Sequence, residues 1–158
     1  MKIAFRLNGK MKEVDVPADR RVVDILREDF LLTGTKESCG TGDCGTCTIL
    51  VDGETRLSCL MLAAQLEGRD IITIEGLSQD GSLHPVQSAF VEHGAVQCGF
   101  CSPGMILASI DLLNRNPNPT REEIRDALAG NLCRCTGYQK IVDSVEIAAA
   151  VIQRKAGS

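Results

Sequence analysis

Eight cysteines are the residues of this 158-residue sequence best suited to chemistry, and they fall into two sets of four. Thiolates bind zinc or iron–sulfur clusters, act as redox dithiols, or pair as disulfides, so spacing has to decide among these uses. The first set has the spacing C-x4-C-x2-C-x11-C and comprises Cys39, Cys44, Cys47 and Cys59. The second has the spacing C-x2-C-x31-C-x-C and comprises Cys98, Cys101, Cys133 and Cys135.

The spacing of the first set favours a [2Fe–2S] cluster. Its first three cysteines match the plant-type ferredoxin pattern, whereas zinc sites usually show two C-x2-C-like pairs. A cluster held by four thiolates is anionic and needs N–H donors aimed at its sulfurs. Gly40, Gly42 and Gly45 allow the backbone dihedral angles that turn such donors inward. Cys59 lies beyond a predicted hairpin, so the fold must bring it to the other three.

The second set is less specific, because its C-x2-C pair also suits a redox dithiol or half of a zinc site. Each of its pairs stands immediately before a predicted helix, the first before Ser102-Pro103 and the second before about Gln139. The partial positive charge at two helix N-termini would suit an anionic cluster. These features favour a second cluster, while a zinc-binding module stays open on the residues alone.

Composition and charge argue against several classes of protein. The formal net charge of −4 disfavours nucleic acid and anionic membranes as partners, because both require a basic face. No apolar run approaches the roughly 18 residues of a transmembrane helix, and no signal-peptide hydrophobic region is present, so a cytoplasmic protein is expected. Because cytosolic thiols are kept reduced, metal binding explains the cysteines better than the alternative of a disulfide-stabilised protein.

The first 76 residues are predicted to form a small β-grasp domain that positions the first cysteine set. Asn8-Gly9 and Asp52-Gly53 are hairpin turn signals between β-prone runs. The predicted elements are a hairpin over 1–17, a helix over 21–28, a polar loop over 33–47, a hairpin over 47–58, a helix over about 59–66 and a strand over 70–75.

After a predicted linker at 77–83, residues 84–158 have helical periodicity and are predicted to position the second set. Ser102 is the predicted cap of one helix, with Pro103 at its first position. Thr120 and Glu123 form a capping-box pattern for another helix. The four predicted helices cover 84–93, 103–114, 120–129 and 139–154. The predicted fold class is therefore α+β, a β-grasp domain over 1–76 followed by a four-helix domain over 84–158.

Three cysteine-bearing segments resemble those of the small iron–sulfur subunit of the molybdenum hydroxylase (xanthine dehydrogenase) family. They are ESCGTGDCGTCTILVDG at 37–53, QCGFCSPGMI at 97–106 and AGNLCRCTGYQKIVDSV at 129–145. The resemblance runs from about residue 2 to 152 and includes all eight cysteines. It implies two [2Fe–2S] clusters in an electron-transfer subunit without catalytic residues, while oxidative hydroxylation or its reductive counterpart takes place in a partner subunit.

The resemblance also implies which partners the chain binds. The β-grasp cluster would face a medium subunit that binds FAD, and the helical-domain cluster would lie near the molybdopterin (Mo) of a large subunit. Gln97 and Cys135 map onto family positions that lie against this pterin. A dimer of heterotrimers is the expected assembly. The main alternative is a free-standing ferredoxin-like carrier, although a simple carrier does not need a second cluster domain.

Overall fold

A five-stranded mixed sheet lies in the N-terminal half of the chain. The computed structural model describes residues 1–78 and 80–158, so Gln79 of the predicted linker 77–83 lies outside the described residues. The strand order is β2-β1-β5-β3-β4, with β1 parallel to β5 and the other pairs antiparallel. The strands are β1 (Lys2–Leu7), β2 (Lys10–Asp15), β3 (Thr48–Val51), β4 (Glu54–Leu57) and β5 (Asp70–Ile72).

Both predicted hairpins are confirmed, and their turns explain why they form. Asn8 and Gly9 have φ angles of 50° and 79°, and Asp52 and Gly53 have φ angles of 51° and 86°. Two successive left-handed residues are the requirement of a type I′ turn, whose twist matches that of the flanking strands. The second of these hairpins separates Cys47 from Cys59.

The helix predicted over 21–28 begins at Val22 but widens after its first turn. Helix α1 (Val22–Asp24) continues as a π-helical turn over Ile25–Asp29, in which the Phe30 N–H donates to the Ile25 carbonyl at 3.2 Å. This wider turn places Phe30 edge-on to Phe5, with ring centroids 5.7 Å apart. The sequence pattern predicted the helix but not its change of pitch.

The helix predicted over about 59–66 is reduced to one 3₁₀ turn, Ala63–Leu66. The Ala63 N–H donates to the carbonyl of Arg20 at 2.8 Å, and the Ala64 N–H donates to another residue of the same distant segment. These donors are therefore taken by a contact remote in sequence and cannot close an α-helical turn.

The strand predicted over 70–75 likewise ends early, at Ile72. The Thr73 N–H donates to Oδ1 of Asn8 at 2.9 Å instead of to a neighbouring strand. The chain then makes a 3₁₀ turn over Ile74–Gly76. A side chain on the first hairpin thus terminates the last strand of the sheet.

Four helices follow, each within two residues of its predicted bounds: α2 (Pro85–Glu92), α3 (Ser102–Arg115), α4 (Arg121–Leu128) and α5 (Gln139–Ala156). The capping box is confirmed, since Thr120 Oγ1 accepts from the Glu123 N–H at 3.2 Å and Glu123 Oε2 accepts from the Thr120 N–H at 2.7 Å. The predicted cap at Ser102 is wrong. The helical conformation already begins at Cys101, whose carbonyl accepts the Met105 N–H at 3.1 Å, so Cys101 is the N-cap.

The two halves of the chain meet at strand β3. Ile49 and Val51 belong to the core beneath the sheet, whereas Leu50 belongs to the core among the helices. Asp111 of α3 adds a polar contact by accepting the backbone N–H and the hydroxyl of Thr55 at 3.1 and 3.0 Å. The predicted α+β class is confirmed. Within the described ranges, no helix is both long and apolar enough to cross a membrane.

Candidate metal centres

The first cysteine set lies in the loop that leads into β3. The Sγ atom of Cys39 accepts the N–H groups of Thr41 at 3.4 Å and Cys44 at 3.5 Å. These donors lower the pKa of the Cys39 thiol to about 5. The loop glycines Gly40, Gly42 and Gly45 have φ angles of 66°, 86° and 71°, the left-handed conformation that glycine adopts without strain. The loop therefore presents N–H groups to a thiolate.

The other two thiols of the first set are buried. Cys47 and Cys59 are 2% and 4% exposed, and they face each other across the start of the second hairpin. The Ser58 N–H donates to the Cys47 carbonyl at 3.3 Å, so strand pairing delivers Cys59 to the loop. Burial and the neighbouring Cys47 thiol raise the pKa of Cys59 to about 11, although the nearby Gly42 N–H acts in the opposite direction.

All four thiols of the second set line one cavity of about 360 Å³. Two of them form an inner pair, in which burial and the Cys133 thiol raise the pKa of Cys101 to about 12. The other two, Cys98 and Cys135, form an exposed pair, and the neighbouring Cys98 thiol raises the pKa of the Cys135 thiol. The two pairs thus join residues that lie 32 and 37 positions apart in the sequence.

Two residues beside Cys133 that the sequence analysis did not assign complete this site. Thr136 Oγ1 donates to Cys133 Sγ at 3.1 Å, and Tyr138 Oη accepts the Cys133 N–H at 2.8 Å. Burial opposes ionisation of the Cys133 thiol, but the donors from Thr136 outweigh it and lower its pKa. The sequence signal for these contacts is the short segment C-T-G-Y at 135–138, which directly follows Arg134.

Each donor set fits an iron–sulfur cluster chemically. Both are sets of four cysteines, the second of them arranged as two thiol pairs, and each has N–H or O–H groups aimed at a sulfur, as anionic clusters require. A [2Fe–2S] cluster distributes its protein ligands over two irons, so paired thiols are the arrangement it needs.

The outer rim of the second site is exposed. Gln97 and Cys135 both lie on the surface, as do the large apolar side chains of Phe100 and Leu132, which are 45% and 55% exposed. Phe100 and Leu132 also line the cavity that holds the cysteines. The exposed thiol pair thus lies beside two large exposed apolar side chains in a cavity that Arg134 also lines.

The two cysteine sites are in direct contact with each other. The Leu132 N–H donates to the Cys44 carbonyl at 2.9 Å, and Thr46 Oγ1 donates to the Phe100 carbonyl at 3.1 Å. The Cys44 residue also lines the cavity of the second set. The backbone therefore connects Cys44 of the first set to Cys133 of the second through one hydrogen bond and one residue.

Comparison with known proteins identifies both halves of the chain. Residues 5–74 match the family model described as a 2Fe-2S iron-sulfur cluster binding domain, and residues 73–146 match one described as a [2Fe-2S] binding domain. The prediction of two [2Fe–2S]-binding domains is confirmed.

Three relatives illustrate the match over the full length of the chain. The nicotine 6-hydroxylase small subunit of Paenarthrobacter nicotinovorans is 51% identical, over 99% of this chain and 94% of that protein. The structure of quinoline 2-oxidoreductase from Pseudomonas putida 86 is 46% identical with a TM-score of 0.94, over 98% of this chain and 96% of the matched chain. The aldehyde oxidoreductase of Desulfovibrio gigas is 42% identical with the same TM-score of 0.94, over 98% of this chain but only 17% of its own. The chain belongs to the small iron–sulfur subunits of the molybdenum hydroxylase family.

Proposed function

We propose that this chain holds two [2Fe–2S] clusters and relays electrons between the Mo-pterin of a large subunit and the FAD of a medium subunit. The ligands of one cluster are Cys39, Cys44, Cys47 and Cys59, and those of the other are Cys98, Cys101, Cys133 and Cys135. Each cluster would act as a one-electron carrier when bound. The chain provides the ligands, donates hydrogen bonds to their sulfurs and fixes the distance between the two sites. The observation that carries the proposal is the 2.9 Å hydrogen bond from Leu132 to Cys44, which joins the two sites.

The chain itself performs no bond-making chemistry in this proposal. Its polar loops donate hydrogen bonds to thiolate sulfurs, which stabilises the negative charge of each centre. The buried Cys47 and Cys59 keep water from one side of the first centre. The chain thus determines the potential and the accessibility of its carriers.

The exposed rim of the second site is the contact surface for the large subunit in this proposal. Gln97 and Cys135 lie against the pterin, and the solvent exposure of both side chains supports this role. Phe100 and Leu132 line the same cavity as the exposed thiol pair and offer the apolar part of an interface.

The medium subunit binds beside the first site. Leu60 and Leu62, next to Cys59 in the sequence, are 56% and 42% exposed and offer apolar surface there. We further propose the division of the chain into cluster domains over 1–76 and 84–158, with 77–83 as the linker, and a dimer of heterotrimers as the assembly. A cytoplasmic location is also proposed, because it suits eight cysteines that are not paired as disulfides.

A free-standing carrier is the weaker candidate. Several relatives that match over nearly the whole chain are named as subunits, such as the nicotine 6-hydroxylase small subunit. A free carrier would be purified as a stable monomer that contains iron, whereas a subunit would be purified with larger chains.

The function is tested by anaerobic purification of the native complex with metal, sulfide and cofactor analysis. We expect iron and acid-labile sulfide in equal amounts, two distinct [2Fe–2S] signals in EPR spectra, and molybdenum and FAD in the accompanying chains. Zinc without acid-labile sulfide would contradict the cluster assignment.

The pterin contact is tested separately with Gln97→Ala in the same complex. We expect a changed potential of the helical-domain cluster and slower electron transfer from the large subunit. Gln153→Ala, on the exposed last turns of α5, is the control. An unchanged potential and an unchanged transfer rate would remove Gln97 from the interface.

A further inference from the structure

Asn131 is a buried amide that bridges the two cysteine sites. It is 7% exposed, and its Nδ2 lies 3.0 Å from the Gly45 carbonyl and 3.3 Å from Thr48 Oγ1. The two acceptors lie 86 and 83 residues earlier in the chain. Asn131 is not one of the proposed cluster ligands, but it lies two residues before Cys133 and contacts the loop that contains Cys44 and Cys47.

The acceptor of this bridge is a carbonyl with unusually many donors. Gly45 O also accepts the Thr48 hydroxyl at 2.6 Å and the Thr48 N–H at 3.1 Å. The neighbouring carbonyl, that of Cys44, accepts the N–H of the residue after Asn131. Two adjacent carbonyls of the first loop are therefore bound by two adjacent residues, 131 and 132, of the second.

The two loops approach closely because glycine occupies the contact. A Cβ atom on Gly45 would overlap the Gly130 carbonyl oxygen and lie 2.9 Å from Asn131 Nδ2, and one on Gly104 would lie 2.6 Å from the Gly45 carbonyl oxygen. An apolar side chain at 131 would leave the Gly45 carbonyl with donors from its own loop alone. The amide is thus the direct side-chain link from the second loop to the first.

We propose that Asn131 is a positioning residue that sets the distance and the electronic coupling between the two clusters. This inference rests on the proposed function, because it requires that both sites hold clusters. The Asn131 amide donates to Gly45 of the first loop and to Thr48 at the start of β3, and a buried hydrogen-bonded contact of this kind restricts the geometry of the groups it joins. Asn131 acts through the Gly45 carbonyl and does not itself contact a cluster.

The test is Asn131→Ala in the assembled complex. EPR spectra of the fully reduced complex report the spin–spin splitting between the two clusters, and rapid-reaction spectroscopy reports electron transfer between them. We expect iron and sulfide content to stay at the level of the unmodified complex, while the splitting is lost or reduced and transfer slows. Asn114→Ala, an exposed amide on α3, is the matched control and should change neither.

Three outcomes decide the proposal. Loss of splitting with both clusters present supports it. Unchanged splitting and transfer with both clusters present overturn it, while the proposed function stands. If Asn131→Ala does not assemble, the test is repeated with Asn131→Ser, whose polar hydroxyl side chain is too short to reach the Gly45 carbonyl. If neither variant retains both clusters, Asn131 is needed for cluster binding itself and the positioning role is overturned. A parent complex that lacks two clusters would refute the proposed function instead.

Discussion

Substitution of Gly45 by alanine is expected to be far more damaging than the same substitution at a free turn. Gly45 has a φ of 71°, and forcing a residue with a side chain into the left-handed region costs about 1–2 kcal/mol. Its new Cβ would also overlap the carbonyl oxygen of Gly130 and lie 3.0 Å from Cα of Asn131. These neighbours include backbone atoms that cannot rotate away, and such overpacking costs about 1–3 kcal/mol more. The expected loss in free energy of unfolding is therefore about 2–5 kcal/mol.

Gly53→Ala is the control that isolates the contact from the backbone conformation. Gly53 has a φ of 86°, but a Cβ there would meet nothing within 4 Å, so only the conformational cost of about 1–2 kcal/mol applies. The assay is urea unfolding of the cluster-loaded subunit, followed by the visible absorbance of its clusters. The Gly45→Ala midpoint should fall below that of Gly53→Ala by on the order of 1 M urea. Equal midpoints for the two variants would refute the packing argument.

Three further predictions concern stability. Burial of the Asp111 carboxyl would raise its pKa, but the Thr55 donors and Arg115 outweigh burial and lower it. The contribution of Asp111 to the free energy of unfolding should therefore be fully present above about pH 4 and be lost as the pH falls through the lowered pKa. Asp111→Asn should lower the urea midpoint by a constant amount between pH 5 and 8, and a difference that vanishes at pH 8 would contradict this. Thr120→Ala removes the capping box of α4 and should cost about 1 kcal/mol in urea unfolding, and no change in midpoint would show that this cap contributes nothing. Removal of iron by a chelator should abolish the cooperative thermal transition, because metal ligation supplies much of the folding free energy of small domains. The assay is thermal unfolding followed by circular dichroism. A cooperative, native-like transition of the iron-free protein would show this prediction to be wrong.

Local signals in the sequence predicted the elements well. The Asn8-Gly9 and Asp52-Gly53 pairs determine their hairpins by backbone conformation alone, and the capping box at Thr120 begins its helix within one turn. In each case the partners that form the structure lie within a few residues of one another. Patterns of this kind can be recognised without knowledge of the tertiary fold.

Predictions failed where distant parts of the chain compete for the same backbone groups. The segment 59–66 has helical periodicity, but its donors bind the Arg20 region. Likewise, the sequence predicts for the glycines of the first loop only that they help to direct N–H groups at sulfur. The second role of Gly45, close approach to the loop at 130–132, depends on a contact between residues 85 or more positions apart, which no local pattern records.

Strand β3 contributes alternate side chains to two different cores. Because Leu50 packs among the helices, while Ile72 and Ile74 also border the helical core, one face of the sheet is covered by the second half of the chain. In a ferredoxin-like fragment truncated after residue 76, these side chains would be exposed to solvent as an apolar patch on one face of the sheet. Truncation should therefore yield a self-associating, aggregation-prone product, and exchange of either half between relatives would have to preserve this shared face.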